Sequence, residues 1–344
     1  MTPALQVLAP GFHTTVQDLG RTGYQDIGVP VSGALDRVSL QIANALAGNP
    51  PGTPGLEIVL SGPTLEVIAD AVRFALFGAG AGLKIGRENP RIIASGQSVT
   101  LRRGEVLQVV ACQLASCCYL AVEGGIAVPL VLGSASTYVR AGFGGLHGRA
   151  LQSGDVVPLR IASAPERAEL RLPHPPDLSR DQSIRVILGP QLEYFTEEAV
   201  AALLGAEFCV SQNADRMGMR LDGPPLRHCR GWDIVSDAIP TGAIQVPGSG
   251  QPIVLLADHQ TTGGYPKVAT VISADLPALG RRRPGDTLRF AAVTVEEAEE
   301  LCREHDRRLV RLLADLQPVE GSGAVDLPSL YDGNLISGVV SGLE

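Results

Sequence analysis

With 344 residues, the chain is longer than the roughly 250–300 residues at which one hydrophobic core stops growing, which predicts two compact halves. A formal net charge of −8 and a pI near 5.3 exclude a general nucleic-acid binder, because phosphate neutralisation needs a basic stripe that this composition does not supply. No apolar run reaches the ~18 residues of a membrane span, and the amino terminus carries no basic segment followed by an apolar core, so a soluble cytoplasmic protein is expected.

Residues 14–49 begin as an extended polar loop holding Asp18, Arg21, Tyr24 and Asp36. They end as a helix over about Leu35 to Ala47, where Leu35, Val38, Ile42, Ala45 and Leu46 share one face and Gly48 with Asn49 forms a stop signal. Leu56 to Val67, Arg73 to Phe77, Val99 to Leu101, Val106 to Val110 and Tyr119 to Val122 read as short strands between Gly, Pro and Ser turns. With 40 glycines and 25 prolines the punctuation is too dense for a helical protein, which predicts a mainly β chain built as a barrel or closely packed sheet. Gly78, Gly80 and Gly82 imitate a dinucleotide fingerprint, but the segment after them contains Pro90 and lacks a helical period, which argues against a Rossmann unit.

Pro165, Pro173, Pro175 and Pro176 mark 161–182 as a Pro-rich linker. The expected organisation is therefore an amino-terminal β-barrel domain with one helix over 1–160, a second β-barrel domain over 183–293, and a helix with a tail over 294–344. In the second half, Ser183 to Leu188 is a strand, and Thr196 can cap a helix that has Glu197 and Glu198 in its first turn and ends at Gly205. Ser211 to Leu226, with Asn213, Asp215 and Arg216, reads as too polar for a core strand and is expected to be a loop. Arg281 to Arg283 reads as a solvated basic turn. Thr294 and Glu297 form a capping box for a helix running to about Leu316, with Leu301, Leu309, Leu312, Leu313 and Leu316 facing inward.

The candidate site lies between two apolar runs, Ile253 to Ala257 and Val268 to Ser273. The ten residues that join them are Asp258, His259, Gln260, Thr261, Thr262, Gly263, Gly264, Tyr265, Pro266 and Lys267. A simple reversal of the chain needs far fewer polar groups. Of the 28 basic residues only Lys84 and Lys267 are lysines, which points to a need for a compact, titratable ammonium where a guanidinium would otherwise serve. A hydrogen-bonded loop that merely closes a barrel explains the same residues without chemistry.

Asp258 and His259 are adjacent and point to opposite faces in a strand, so they cannot act as an orienting acid and its base unless the chain turns there. No G-x-S-x-G elbow, P-loop, H-x-H or H-E-x-x-H pattern occurs, and Cys112, Cys117 and Cys118 sit in an apolar run without C-x-x-C spacing. No metal is expected, and the thiols read as reduced and structural. The remaining chemistry is a cleft of amides, hydroxyls and a lysine, suited to a small polar substrate or an anionic intermediate.

Six ordered passages resemble the biotin-dependent carboxyltransferase family: Thr14 to Asp36, Leu56 to Val67, Tyr119 to Pro129, Leu132 to Tyr138, Asn213 to Leu226, and Ile234 to Leu276. That family includes the C-type subunit of bacterial ATP-dependent 5-oxoprolinases, the second half of the carboxyltransferase region of urea carboxylases, with the older name allophanate hydrolase subunit 2, and an antagonist of a sporulation kinase inhibitor. The resemblance implies two cyclophilin-like β-barrel domains. It also implies a complex with B-type and A-type 5-oxoprolinase polypeptides that opens the lactam of 5-oxoproline to L-glutamate at the expense of ATP. An alternative is transfer of carboxylate from carboxybiotin to a urea-like or amide nitrogen; another is a non-catalytic antagonist of a kinase inhibitor. Neither lysine follows a methionine, so biotin or ATP would be brought by another chain or held in a different fold mode.

Within this reading Asp258, His259 and Lys267 are the catalytic candidates, with Asp258 or His259 as proton acceptor and Lys267 neutralising developing negative charge. Gln260, Thr261, Thr262, Gly263, Gly264, Tyr265, Asn213, Arg216, Asp18, Arg21 and Asp36 are the substrate-binding candidates.

Overall fold

A computed structural model describes residues 2–110, 112, 114–178 and 183–319. In the amino-terminal half, the strands Ala71–Phe77 and Cys117–Val122 pair antiparallel, with Tyr119 opposite Phe77 and Val122 opposite Phe74. Because successive side chains alternate across a strand, Phe74, Leu76, Cys118, Leu120 and Val122 face one core while Ala75, Phe77, Cys117, Tyr119 and Ala121 face another. Burial on both faces is why Cys117–Val122 is continuously apolar in sequence.

These strands lie inside a seven-stranded sheet ordered His13–Gln17, Gly55–Val59, Cys117–Val122, Ala71–Phe77, Gln97–Arg102, Leu170–Arg171 and Gln317–Pro318. A six-stranded sheet ordered Val156–Pro158, Ala4–Ala9, Thr64–Val67, Val106–Val110, Gly82–Ile85 and Arg91–Ala94 closes over its inner face. Its outer face is covered by helix α1 (Arg37–Leu46), whose Leu40, Ile42 and Leu46 are fully buried, each contributing about 1.5–3 kcal/mol. Asp36 caps α1 by accepting from Ser39 N at 3.1 Å.

In the carboxyl half, eight strands run in the order Thr287–Leu288, Phe208–Ala214, Gly218–Asp222, Ile253–Leu255, Ala243–Gln245, Lys267–Val271, Ile184–Leu188 and Phe290–Ala292. The two edge strands flank the single residue Arg289, so the sheet must curl until its edges meet. The result is a nearly closed barrel, which removes exposed edges. Its interior holds Val186, Phe208, Val210, Leu221, Val254 and Val268. The protein is mainly β with a few helices.

Helix α2 (Glu197–Gly205) starts at Thr196, whose hydroxyl accepts from Ala199 N, and it seats Ala199 and Leu203 on the barrel core. A short helix α3 (Leu276–Gly280) precedes α4 (Val295–Ala314), which has the predicted capping box between Thr294 and Glu297. Leu309, Leu312, Leu313 and Leu316 then pack against the α1 side of the amino-terminal sheet, so the helix leaving one half covers the other.

Two expectations are corrected. Ser211 to Leu226 is not a loop: most of it is a hairpin in which Phe208–Ala214 pairs with Gly218–Asp222, because alternate residues Val210, Met219 and Leu221 face the core while Gln212 and Asn213 face out. The basic run at 281–283 is not wholly solvated. Arg281 and Arg282 are buried, and Arg281 Nη1 meets Asp36 Oδ2 at 2.8 Å across the junction of the halves. Leu170–Arg171, inside the proline-rich segment, joins the seven-stranded sheet, and residues 320–344 lie outside the described part. Among the described residues no helix is long and apolar enough to cross a membrane.

Candidate functional site

A buried polar network joins the two halves at the root of the 258–267 segment. Arg216, in the turn of the 208–222 hairpin, binds Asp258 through Nε at 2.8 Å and Nη2 at 3.1 Å, the fork geometry that suits a guanidinium and a carboxylate. Its Nη1 reaches Glu57 Oε1 at 2.5 Å, and Nη2 also donates to Gly33 O at 2.7 Å. Ser32 and Gly33 have φ of +55° and +84°, which turns that carbonyl toward the second half. Burial alone would lower the Arg216 pKa, but the Glu57 and Asp258 carboxylates outweigh it and raise it, holding the charge in place.

The network continues through Glu57 Oε2, which accepts from Tyr119 Oη at 2.6 Å and from Leu35 N at 2.9 Å. Burial first, and then the negative charges nearby, push the Tyr119 phenol well above its usual range, so it stays a donor. Asp36 N in turn donates to Tyr119 Oη. Asp36 caps α1 and pairs with Arg281, and Arg216 with Asp258 and Glu57 forms the centre of the junction.

The other predicted residues fall into three groups. Asp18 accepts from Ser134 Oγ at 2.6 Å, Ser136 Oγ at 2.5 Å, Ala135 N at 2.7 Å and Gly20 N at 2.8 Å. Arg21 donates to Ser136 O and lies 4.9 Å from the Phe143 ring centroid, so this pair orders residues 131–143.

His259 is fully buried under the segment. Its Nδ1 lies 2.6 Å from Gln260 O, a carbonyl that can only accept, so Nδ1 carries the proton and Nε2 accepts from Thr241 Oγ1 at 3.0 Å. Burial lowers its pKa and keeps it neutral. Lys267 is buried as well, with Nζ 2.8 Å from Asp237 Oδ2, and this ammonium holds the Asp237 carboxyl below its usual range. Asp237–Ala238 pairs with Thr262–Gly263 as a two-stranded ribbon, Ile239 N donates to Thr261 O, and Ile234 N donates to Gly264 O. The segment is thus pinned at both ends by buried charges and along its length by backbone bonds.

Gln260, Tyr265 and Asn213 form the third group: they line an open cleft of about 490 Å³ on the carboxyl barrel. Met217, Ile253 and Leu255 supply its apolar surface, and Arg220 is the cation among its lining residues. Asp258, His259 and Lys267 do not line it.

Gln245 and Gln212 also line the cleft and were not legible from motifs. Gln245 is 2% exposed, and its Oε1 accepts from Gln260 Nε2 at 3.3 Å. The available signal was a lone amide inside the apolar run Ala243-Ile244-Gln245-Val246. Gly263 leaves the space this side chain fills, since a Cβ there would lie 2.8 Å from Gln245 Nε2.

Residues 27–292 match the family of the carboxyltransferase domain, subdomains A and B. The chain belongs to that family. It is 36% identical to the C-type subunit of 5-oxoprolinase from Escherichia coli K12 over 90% of this chain and 97% of that protein. It is also 36% identical to the C-type subunit of 5-oxoprolinase from Haemophilus influenzae Rd, over 88% of this chain and 95% of that one. Among solved structures, the K. lactis urea amidolyase matches with a TM-score of 0.81 and 32% identity over 94% of this chain, which spans only 20% of that protein. TTHA0988 matches with a TM-score of 0.75 and 39% identity over 84% of this chain, and this family member spans 56% of its length.

Proposed function

We propose that this carboxyltransferase-family chain is the C-type subunit of an assembly that opens the lactam of 5-oxoproline to L-glutamate, working with A-type and B-type partner polypeptides. The observation that carries this reading is the near end-to-end likeness to two proteins named as C-type subunits of 5-oxoprolinase, against a likeness confined to a fifth of the urea amidolyase. The cleft is consistent with it. A lactam is a flat, neutral amide, and Gln245, Gln260 and Asn213 offer neutral donors and acceptors beside apolar walls, while Arg220 offers a cation for a carboxylate. Lys267, His259 and Asp258 act from beneath, fixing the segment that presents Gln260 and Tyr265.

ATP does not fit this cleft, because a triphosphate needs a cationic cradle and Arg220 is the one cation among the described residues lining it, so nucleotide handling would fall to another chain or to a different part of this one. A biotin ureido ring does fit, and the amides would orient its carbonyl. When bound in carboxylated form it would supply a transferable carboxylate, which is the basis of the second reading, transfer to a urea-like nitrogen, favoured by membership of the carboxyltransferase family.

Reconstitution with both partner polypeptides decides between them: ATP-dependent glutamate release from 5-oxoproline is expected, and ATP-dependent consumption of urea with a biotin carboxylase, without glutamate release, would replace the first reading by the second. In the active complex Lys267→Ala is expected to lower turnover at least tenfold with assembly unchanged. Asp237→Asn, which keeps the ammonium and a hydrogen-bonding partner, is expected to stay within about threefold. Full activity of Lys267→Ala would remove that residue from the site.

A further inference from the structure

Gln245 stands apart from the rest of the cleft. It comes from a barrel strand, Ala243–Gln245, whose neighbours are apolar, and it is 2% exposed, yet its side chain is only half satisfied. The amide oxygen accepts from Gln260 Nε2 at 3.3 Å, and the amide nitrogen has no hydrogen-bond partner among the described residues. A buried N–H donor without a partner is unfavourable, and folded chains tolerate it where a ligand or an ordered group completes the bond. Here the orphaned donor belongs to a residue that lines the cleft, but the nitrogen itself is covered and lies beside Gly263, whose missing side chain gives the carboxamide its room, so contact with a ligand needs the carboxamide to tip toward the cleft.

We propose that Gln245 is a specificity-determining residue of this site, its Nε2–H donating to the carbonyl oxygen of a cyclic amide or cyclic urea held in the cleft. Identifying that ligand as 5-oxoproline rests on the function proposed above; the carbonyl contact itself does not. Gln260 is then a positioning residue: by donating to Gln245 Oε1 it fixes which end of the buried carboxamide is left for the ligand. Polarity sets the selectivity. A ligand that presents a carbonyl completes the buried bond, whereas an analogue of the same shape without the carbonyl leaves the donor unpaired in a space that now excludes water.

The test uses the full chain, alone and reconstituted with its partner polypeptides, and three small probes: 5-oxoproline, tetrahydrofuran-2-carboxylate, which keeps ring and carboxylate but lacks the carbonyl, and 2-imidazolidinone, a cyclic urea. Binding is read by calorimetry or ligand-observed NMR for the parent, Gln245→Leu and Gln245→Glu. The parent is expected to prefer 5-oxoproline over the carbonyl-free analogue by about tenfold or more, and Gln245→Leu is expected to bring that ratio close to one. A purely structural role would weaken both ligands together and leave the ratio unchanged, which would overturn the proposal. Gln245→Glu is nearly isosteric but accepts only, so it is expected to bind 5-oxoproline no better than Gln245→Leu; parental affinity would overturn the donor assignment. Parental binding of 2-imidazolidinone but not 5-oxoproline, with the same dependence on Gln245, would sink the lactam substrate and keep the carbonyl contact. Binding of neither carbonyl probe to the parent, alone or in the complex, would overturn the contact itself.

Discussion

Replacing Arg216 by Leu tests whether the ion network holds the site together. Its side chain is about 10% exposed, those of its partners Glu57 and Asp258 are 0% and 7% exposed, and all three lie where the two halves meet. Leucine keeps much of the apolar stem but leaves two carboxylates and the Gly33 carbonyl facing a gap. Removing one member of a buried ion pair typically destabilises by about 3–5 kcal/mol, since the partner charge stays buried without compensation. A loss in that range is expected, read as a drop in the denaturant midpoint of the transition reported by Trp232 fluorescence, with an unchanged slope. Combining Arg216→Leu with Glu57→Gln removes one stranded charge and is expected to recover about 1–2 kcal/mol. A single variant within about 1 kcal/mol of the parent, or a double variant no more stable than the single one, would refute the argument that charge compensation fastens the halves.

Two further tests address burial and packing. Burial lowers the pKa of His13, His228 and His259 below the ordinary 6.5, so the unfolded chain binds protons first as the pH falls, and stability is expected to drop as the pH is lowered from about 6.5. Each histidine contributes at most about 1.4 kcal/mol per pH unit, and His259→Gln should flatten the slope of denaturant stability between about pH 6.5 and 5.5; an unaltered slope would show that His259 titrates normally. Gly280→Ala would place a Cβ 2.4 Å from Leu35 O and 2.6 Å from Leu35 C, both backbone atoms at the junction. A loss of about 1–3 kcal/mol is expected in chemical denaturation, and a neutral effect would mean that α3 can shift away from the amino-terminal half.

The sequence by itself determined the local structure. Hydroxyl caps at Thr196 and Thr294, the apolar face of α1, and the apolar runs of the strands act over one turn or one pleat, so they can be read from neighbouring residues, whereas Asp36, expected inside the first helix and as a substrate contact, proved to be its cap. The polar segment 258–267 was legible for the same reason, as an excess of hydrogen-bonding groups between two buried strands. The hairpin at 208–222 was harder, since one of its faces is wet and its polar residues outweigh Val210, Met219 and Leu221 in a linear reading.

The tertiary structure alone decided which polar groups meet. Arg216 and Glu57 are 159 residues apart and Arg281 and Asp36 are 245 apart, so no local pattern could pair them, and Arg281 looked like part of a solvated turn until the halves came together. It also separated the predicted residues into those that fasten the segment from below, Asp258, His259 and Lys267, and those that face the cleft, Gln260, Tyr265 and Asn213. Gln245 joined the second set only when the barrel curled. A strand's alternation says which side a residue is on, but whether that side is a dry core or the floor of a cleft depends on how the whole sheet closes.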